Sequence, residues 1–165
     1  MNQRIGLGED RHRLDQPGTG PLRIGGVNVP HERGLVGHSD ADVLLHAITD
    51  ALLGAIGEPD IGQLFPDHDD ANRGRESRDF LHFAMERVRA AGYELVNLDC
   101  VILAEKPKLA PYKDAMRHAI AAILEVPVAE VSLKAKTGEG VGAVGREEAI
   151  DARCVVLVCR EQSAD

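Results

Sequence analysis

The longest mainly apolar run of the chain, residues 43–57, is the strongest constraint on its fold. Leu44, Ile48, Leu52 and Ile56 recur at i+4 spacing, which predicts an amphipathic helix packing one stripe inward. The run also holds His46, Thr49 and Asp50 and is too short to span a bilayer, so its apolar stripe must be buried against other protein. Partners for it are legible on both sides. Residues 3–14 read as a strand, with Ile5 and Leu7 alternating against glycines. Leu22–Ile24 and Val27–Val29 bracket Gly25-Gly26 as a short hairpin.

Downstream, Phe80, Ala84 and Val88 predict a second helix over residues 76–91, stopped by Gly92. Residues 95–104 read as a strand and 112–124 as a third helix. Val131–Lys136 is another strand, 137–145 a glycine-rich loop and 150–160 a final buried strand. No repeat, low-complexity tract or Pro/Gly/Ser-rich linker divides the chain, so residues 1–165 read as one domain. The expected class is α+β in two layers: a small mixed four-stranded sheet with helices on one face, plus a short hairpin.

Charge is distributed unevenly. The net charge is −8. Between residues 36 and 72 there are eight acids and no Lys or Arg, leaving 19 acids and 19 bases elsewhere. Net acidity argues against a duplex-DNA binder or a basic membrane-surface protein. Aromatics at 3% are too few for stacking on single-stranded nucleic acid. Cys100, Cys154 and Cys159 form no CxxC pair and read as free thiols of a reducing compartment. The N-terminal residues have neither a signal nor a transit pattern, which makes the cytoplasm the expected location.

Three constellations bear on chemistry. Asp10 and His12 lie two apart on the opening strand and project from one face. Ser39 precedes the apolar helix with Asp42 three residues on, a capping-box-like start, and Asp42 and His46 stack at i and i+4. Asp42 there either shares a metal with His46, orients it, or serves the helix dipole alone. His46 itself reads equally as a neutral core histidine. Taken together, Asp10, His12 and His46 form a one-Asp, two-His set, the pattern of a catalytic zinc site with a position left open. His38, Ser39 and Asp40 are adjacent and cannot form a nucleophilic triad with one another. Residues 140–145 match G-x-G-x-x-G, but a strand follows instead of the helix that dinucleotide binding needs. Lys134, Lys136, Thr137 and Arg146 around that loop suit phosphate, and Glu139 suits a hard cation; ordinary surface charge accounts for them equally.

The block His38-Ser39-Asp40-Ala41-Asp42-Val43 with His46 and Asp50 resembles the signature H-S-D-[GA]-D-V-x-x-H-x-x-x-D of the 2-C-methyl-D-erythritol 2,4-cyclodiphosphate synthase family of the non-mevalonate isoprenoid pathway. Collinear matches extend the resemblance over nearly the whole chain. They are residues 24–27, 60–62 with 65–67, Pro107-Lys108, and Lys134 to Glu139 with Gly145-Arg146. The resemblance implies a homotrimer with sites between subunits and zinc on Asp10, His12 and His46. It also implies magnesium or manganese on Glu139. His38 and Ser39 would then lie near substrate phosphates, with Asp60, Gly62 and Asp67 on the nucleotide side. Ala104, Lys106, Pro107, Lys108 and Leu109 would wrap the cytosine, with Lys136, Thr137 and Arg146 near the diphosphate. The implied reaction turns a cytidylyl-methylerythritol 2-phosphate into a cyclic diphosphate and CMP. The trimer axis is a candidate seat for an isoprenoid diphosphate.

Some positions depart from the family pattern. Glu9 and Arg11 stand where an aromatic and an aliphatic are usual; they are expected on the opposite strand face, bridging to another subunit or to a helix. Gly138 and Glu147 also depart, near the diphosphate loop. Two other classes compete for the same residues: a zinc phosphohydrolase using metal-bound hydroxide, and a non-enzymatic oligomeric isoprenoid- or nucleotide-binding protein with a structural metal.

Overall fold

A computed structural model describes residues 2–37, 39–66 and 75–160. In chain order the elements are β1 (Asn2–Arg13), β2 (Leu22–Ile24), β3 (Val27–Val29), α1 (Val43–Ile56), α2 (Ile61–Leu64), α3 (Ser77–Ala90), β4 (Glu94–Leu103), α4 (Lys113–Leu124), β5 (Val131–Lys136), α5 (Gly142–Gly145) and β6 (Ala149–Arg160). Four strands form one mixed sheet in the order β1-β6-β4-β5, and β2 and β3 form a separate hairpin. The first strand pairs antiparallel with the last, from Asn2 opposite Arg160 to Arg13 opposite Ala149. β4 pairs antiparallel with β6 and parallel with β5; α4 makes the crossover that a parallel pair requires.

Alternation along β1 decides which face α1 covers. Gly6 and Gly8 are buried while Ile5 and Leu7 point away from the helix. A Cβ on Gly6 would lie 1.8 Å from the Ala51 carbonyl oxygen, and one on Gly8 2.0 Å from that of Ala47. Only residues without a side chain let the helix backbone settle this close to the strand. α1 is buried on more than the predicted stripe: Val43, Leu45, Ala47 and Leu53 are as inaccessible as Leu44, Ile48 and Leu52. The reason is that α3 packs on α1 as the sheet does, and the hairpin also touches it. A fully buried Leu or Ile contributes about 1.5–3 kcal/mol, so this helix anchors the core.

The start of α1 departs from expectation. Its N-cap is Asp42, not Ser39, and no acidic residue lies in its first turn. The Asp42 carboxylate accepts N–H bonds from Leu45 at 3.1 Å, Gly25 at 2.8 Å and Gly26 at 2.7 Å. It joins the hairpin turn to the helix, and both its oxygens are taken by these backbone donors rather than by the His46 imidazole. Burial pushes its carboxyl above the usual range, against these three donors, which favour the ionised form.

The sheet face away from α1 shows a second departure. Glu9 pairs with Arg153, and Arg11 makes a two-pronged bond to Asp151 at 2.6 Å on each prong. Both are cross-strand pairs on β6, set by register, not bridges to a helix. Beside them Ile5, Leu7 and Val155 remain 73%, 68% and 47% exposed. Within the glycine-rich loop a single helical turn, Gly142–Gly145, precedes β6; as expected, no longer helix follows the glycine motif.

Candidate functional site

β1 and α1 bring three predicted residues to one point. Asp10 and His12 leave β1 on the helix side, and His46 leaves the first turns of α1 towards them. Asp10 Oδ2 lies 3.0 Å from His12 Nε2 and 3.0 Å from His46 Nδ1, and the two ring nitrogens are 3.1 Å apart. Among the described residues this is a group of His, Cys, Asp or Glu side chains arranged to hold a metal ion. His12 Nδ1 faces the Val36 carbonyl at 2.8 Å and must donate to it, so its Nε2 lone pair points at the cluster.

Electrostatics follow this geometry. Burial alone would raise the Asp10 carboxyl. Hydrogen bonds and charge from His12 and His46 outweigh that and hold it far below the usual carboxylate range. Burial likewise opposes a proton on His12, yet Asp10 raises its affinity for one. Two imidazoles and a carboxylate converging on one point therefore attract a cation. His46, weighed from sequence as a neutral core histidine, is only 8% exposed but faces this cluster.

The group opens on a cavity of about 460 Å³. Ser39 and Gly62 line it, and Phe65 and Phe80 form an apolar wall with ring centroids 4.8 Å apart. Gly62 belongs to α2, which Asp50 ties to α1 by accepting the Ile61 N–H at 2.8 Å. Asp60 is the N-cap of α2, accepting from Gln63 N at 2.9 Å. His38 and Asp67 lie outside the described residues.

A second cavity, of about 270 Å³, sits between the end of β4 and the end of β5. Ala104, Pro107, Lys108, Leu109, Lys136 and Thr137 line it, and it shares no residue with the first. Lys106 turns out of it to an ion pair with Glu147 at 2.8 Å. Thr137 donates to Glu139 at 2.9 Å, and Arg146 pairs with Glu148 through two bonds of 2.9 and 3.0 Å. Sequence reading overlooked Glu105, whose carboxylate accepts the Gly138 N–H at 3.0 Å and joins the β4 turn to the glycine loop. It also overlooked Ser77, whose Oγ lies 2.8 Å from His46 Nε2. Glu105 lies within a segment already singled out, between Ala104 and Lys106; Ser77 carries no local signal, because it stands 31 positions from His46.

The chain is similar to known proteins over nearly its whole length. The model of the YgbB family matches residues 3–159. The 2-C-methyl-D-erythritol 2,4-cyclodiphosphate synthase of Rhodopirellula baltica is 62% identical over 95% of this chain and 93% of its own. The Plasmodium falciparum IspF structure in complex with CDP superposes with a TM-score of 0.85 at 30% identity, covering 98% of both chains. The bifunctional IspDF of Campylobacter jejuni reaches a TM-score of 0.92 at 37% identity; the match covers 98% of this chain and 43% of that one.

Proposed function

The chain belongs to the YgbB family and is an enzyme of the 2-C-methyl-D-erythritol 2,4-cyclodiphosphate synthase class, and from that premise we propose how its residues divide the reaction. The substrate is 4-diphosphocytidyl-2-C-methyl-D-erythritol 2-phosphate. An oxygen of its 2-phosphate attacks the β-phosphorus of the diphosphate; the bond from that phosphorus to the bridging oxygen breaks, and CMP leaves with the oxygen and its electron pair. The cyclic diphosphate forms without water. No protein nucleophile is required, so the protein's task is to hold nucleophile and electrophile in line and to neutralise phosphoryl charge.

The observation that carries this reading is the convergence of Asp10, His12 and His46 on one point. Ligands of a tetrahedral zinc with bonds of about 2.0–2.1 Å stand about 3.3 Å apart, and these donors already stand 3.0–3.1 Å apart. Zinc on these three residues, with magnesium or manganese on Glu139, supplies Lewis-acid neutralisation of the phosphates when bound. With no Lys or Arg between residues 36 and 72, a cation is what makes this wall tolerable to an anionic substrate.

The remaining residues bind and orient. His38 and Ser39 hold the phosphates beside the metal group, and Asp60, Gly62 and Asp67 hold the nucleotide side. The turn from Ala104 to Leu109 encloses the cytosine. Lys106 takes part through its backbone, since its ammonium is committed to Glu147. Lys136, Thr137 and Arg146 meet the diphosphate. The two cavities are separate within one chain, and Ile5, Leu7 and Val155 are exposed on the sheet. Both facts favour a homotrimer in which one subunit's metal group faces a neighbour's nucleotide cavity.

Turnover of the cytidylyl substrate with zinc and magnesium in ¹⁸O-water tests the reading. CMP and a cyclic diphosphate, both free of the label, are expected. A linear, ¹⁸O-labelled product would refute it in favour of metal-dependent hydrolysis.

A further inference from the structure

Behind His46, on the side away from the metal group, a buried chain of polar side chains runs to the surface of the hairpin. His46 Nε2 lies 2.8 Å from Ser77 Oγ and 3.2 Å from Ser39 Oγ. Ser77, the first residue of α3, is fully buried. Its hydroxyl and its backbone N–H both go to one oxygen of Asp40, the N–H at 3.0 Å. The other Asp40 oxygen lies 3.1 Å from Arg23 Nε on β2, an ion pair without hydrogen-bond alignment. Ser39 and His46 also line the first cavity, whereas Ser77, Asp40 and Arg23 do not.

Proton counting and the shortest contacts together favour one arrangement. A carboxylate only accepts, so the hydroxyl of Ser77, which has a single proton, gives it to Asp40. Its oxygen then accepts from its nearest remaining neighbour, His46 Nε2 at 2.8 Å rather than Ser39 Oγ at 3.5 Å, which requires the proton of the neutral imidazole to be on Nε2. The lone pair is left on Nδ1, the nitrogen facing Asp10 and His12. His12 is fixed as the opposite tautomer by a shorter route: Nδ1–H donates to the Val36 carbonyl and the Nε2 lone pair faces the cluster.

We propose that Ser77 and Asp40 are positioning residues for the metal centre, fixing His46 as the Nε2–H tautomer and aiming its Nδ1 lone pair at the ion. This rests on the metal-site reading given above. Ordinary helix capping explains only part of the arrangement: Asp40 meets the free N–H at the start of α3, but capping needs neither the Ser77 hydroxyl nor its approach to His46. Partners of this kind, one bond removed from the metal, typically carry 10–100-fold in metal affinity.

The test compares the full chain with Ser77→Ala, both loaded with zinc. Chelator competition is expected to show zinc binding about 10–100-fold weaker in the variant. Long-range ¹⁵N–¹H spectra of the imidazoles are expected to show a slowly exchanging His46 Nε2–H in the parent and rapid exchange in the variant. An Nδ1–H tautomer in the parent, or unchanged zinc affinity in a folded Ser77→Ala, overturns the proposal. Asp40→Asn, of nearly equal size, carries the same measurements if Ser77→Ala does not fold; weaker zinc binding supports the proposal and unchanged binding refutes it. Should the parent itself bind no zinc, the metal-site reading fails first, and the two failures are thereby told apart.

Discussion

Gly8→Ala is expected to damage the metal group without altering any ligand. The added methyl carbon would lie 2.0 Å from the Ala47 carbonyl oxygen, a backbone atom of α1 next to His46 in sequence. Carbon–oxygen contacts relax to about 3.3–3.6 Å, so strand and helix must separate locally by about 1.3 Å. Asp10 and His12 stay with the strand while His46 moves with the helix. Spacings of 3.0 and 3.1 Å to His46 would then approach 4 Å, beyond the reach of one tetrahedral ion. Overpacking of this kind costs about 1–3 kcal/mol, or roughly 2–12 °C in Tm for a chain of this size. Gly54→Ala is the control: within the same helix, its nearest neighbour would be the Leu7 oxygen at 3.9 Å, and relief of helical glycine should stabilise by about 0.5–1 kcal/mol. Calorimetry of the metal-free proteins and chelator competition for zinc read both effects. A Gly8→Ala protein within about 0.5 kcal/mol of its parent, with unchanged zinc affinity, would refute the reasoning.

Two further outcomes follow from buried and paired charges. Asp42→Ala removes an N-cap and leaves the Gly25 and Gly26 N–H groups without their acceptor, so urea unfolding should show a loss of about 3–5 kcal/mol; a loss under about 1 kcal/mol would contradict the role assigned to Asp42. The hydrogen bond and charge of Glu147 raise Lys106 above its ordinary value of 10.5, so the folded state keeps this proton more tightly than the unfolded chain. The stabilisation is complete below the ordinary lysine value and lost as pH rises through the raised one. Melting curves of the parent and Lys106→Ala should differ at neutral pH and converge in alkali; a constant gap would show that the ion pair is not its source.

Local rules read this fold well where a signal lies within one element. The Gly25-Gly26 turn placed both hairpin strands, and the Leu44–Ile48–Leu52 spacing placed α1. Alternation around Asp10 and His12 was enough to predict their shared face. What sequence did not yield depends on residues far apart in the chain. Asp42 looked like the third residue of a capping box because its hairpin partners lie 16 and 17 positions away. Ser77 reaches His46 only after α3 folds across α1. The expectation that Glu9 and Arg11 bridge to a helix failed because β6 supplies Arg153 and Asp151 directly opposite, and register cannot be deduced from one strand alone.

That register couples the making of the site to the making of the chain. Among the described residues β1, which carries two of the three metal-group residues, pairs in its sheet with β6 alone, the strand furthest from it in sequence. Asp10 and His12 find the Val36 carbonyl and His46 nearby in sequence, but their strand partner on β6 lies beyond α1, α3 and α4. The deciding contact spans nearly the full sequence, so loop closure must be met before it is rewarded, and slow, late consolidation is the physical consequence. The fixed backbone beneath Asp10 and His12 is thereby tied to a pairing between distant parts of the chain.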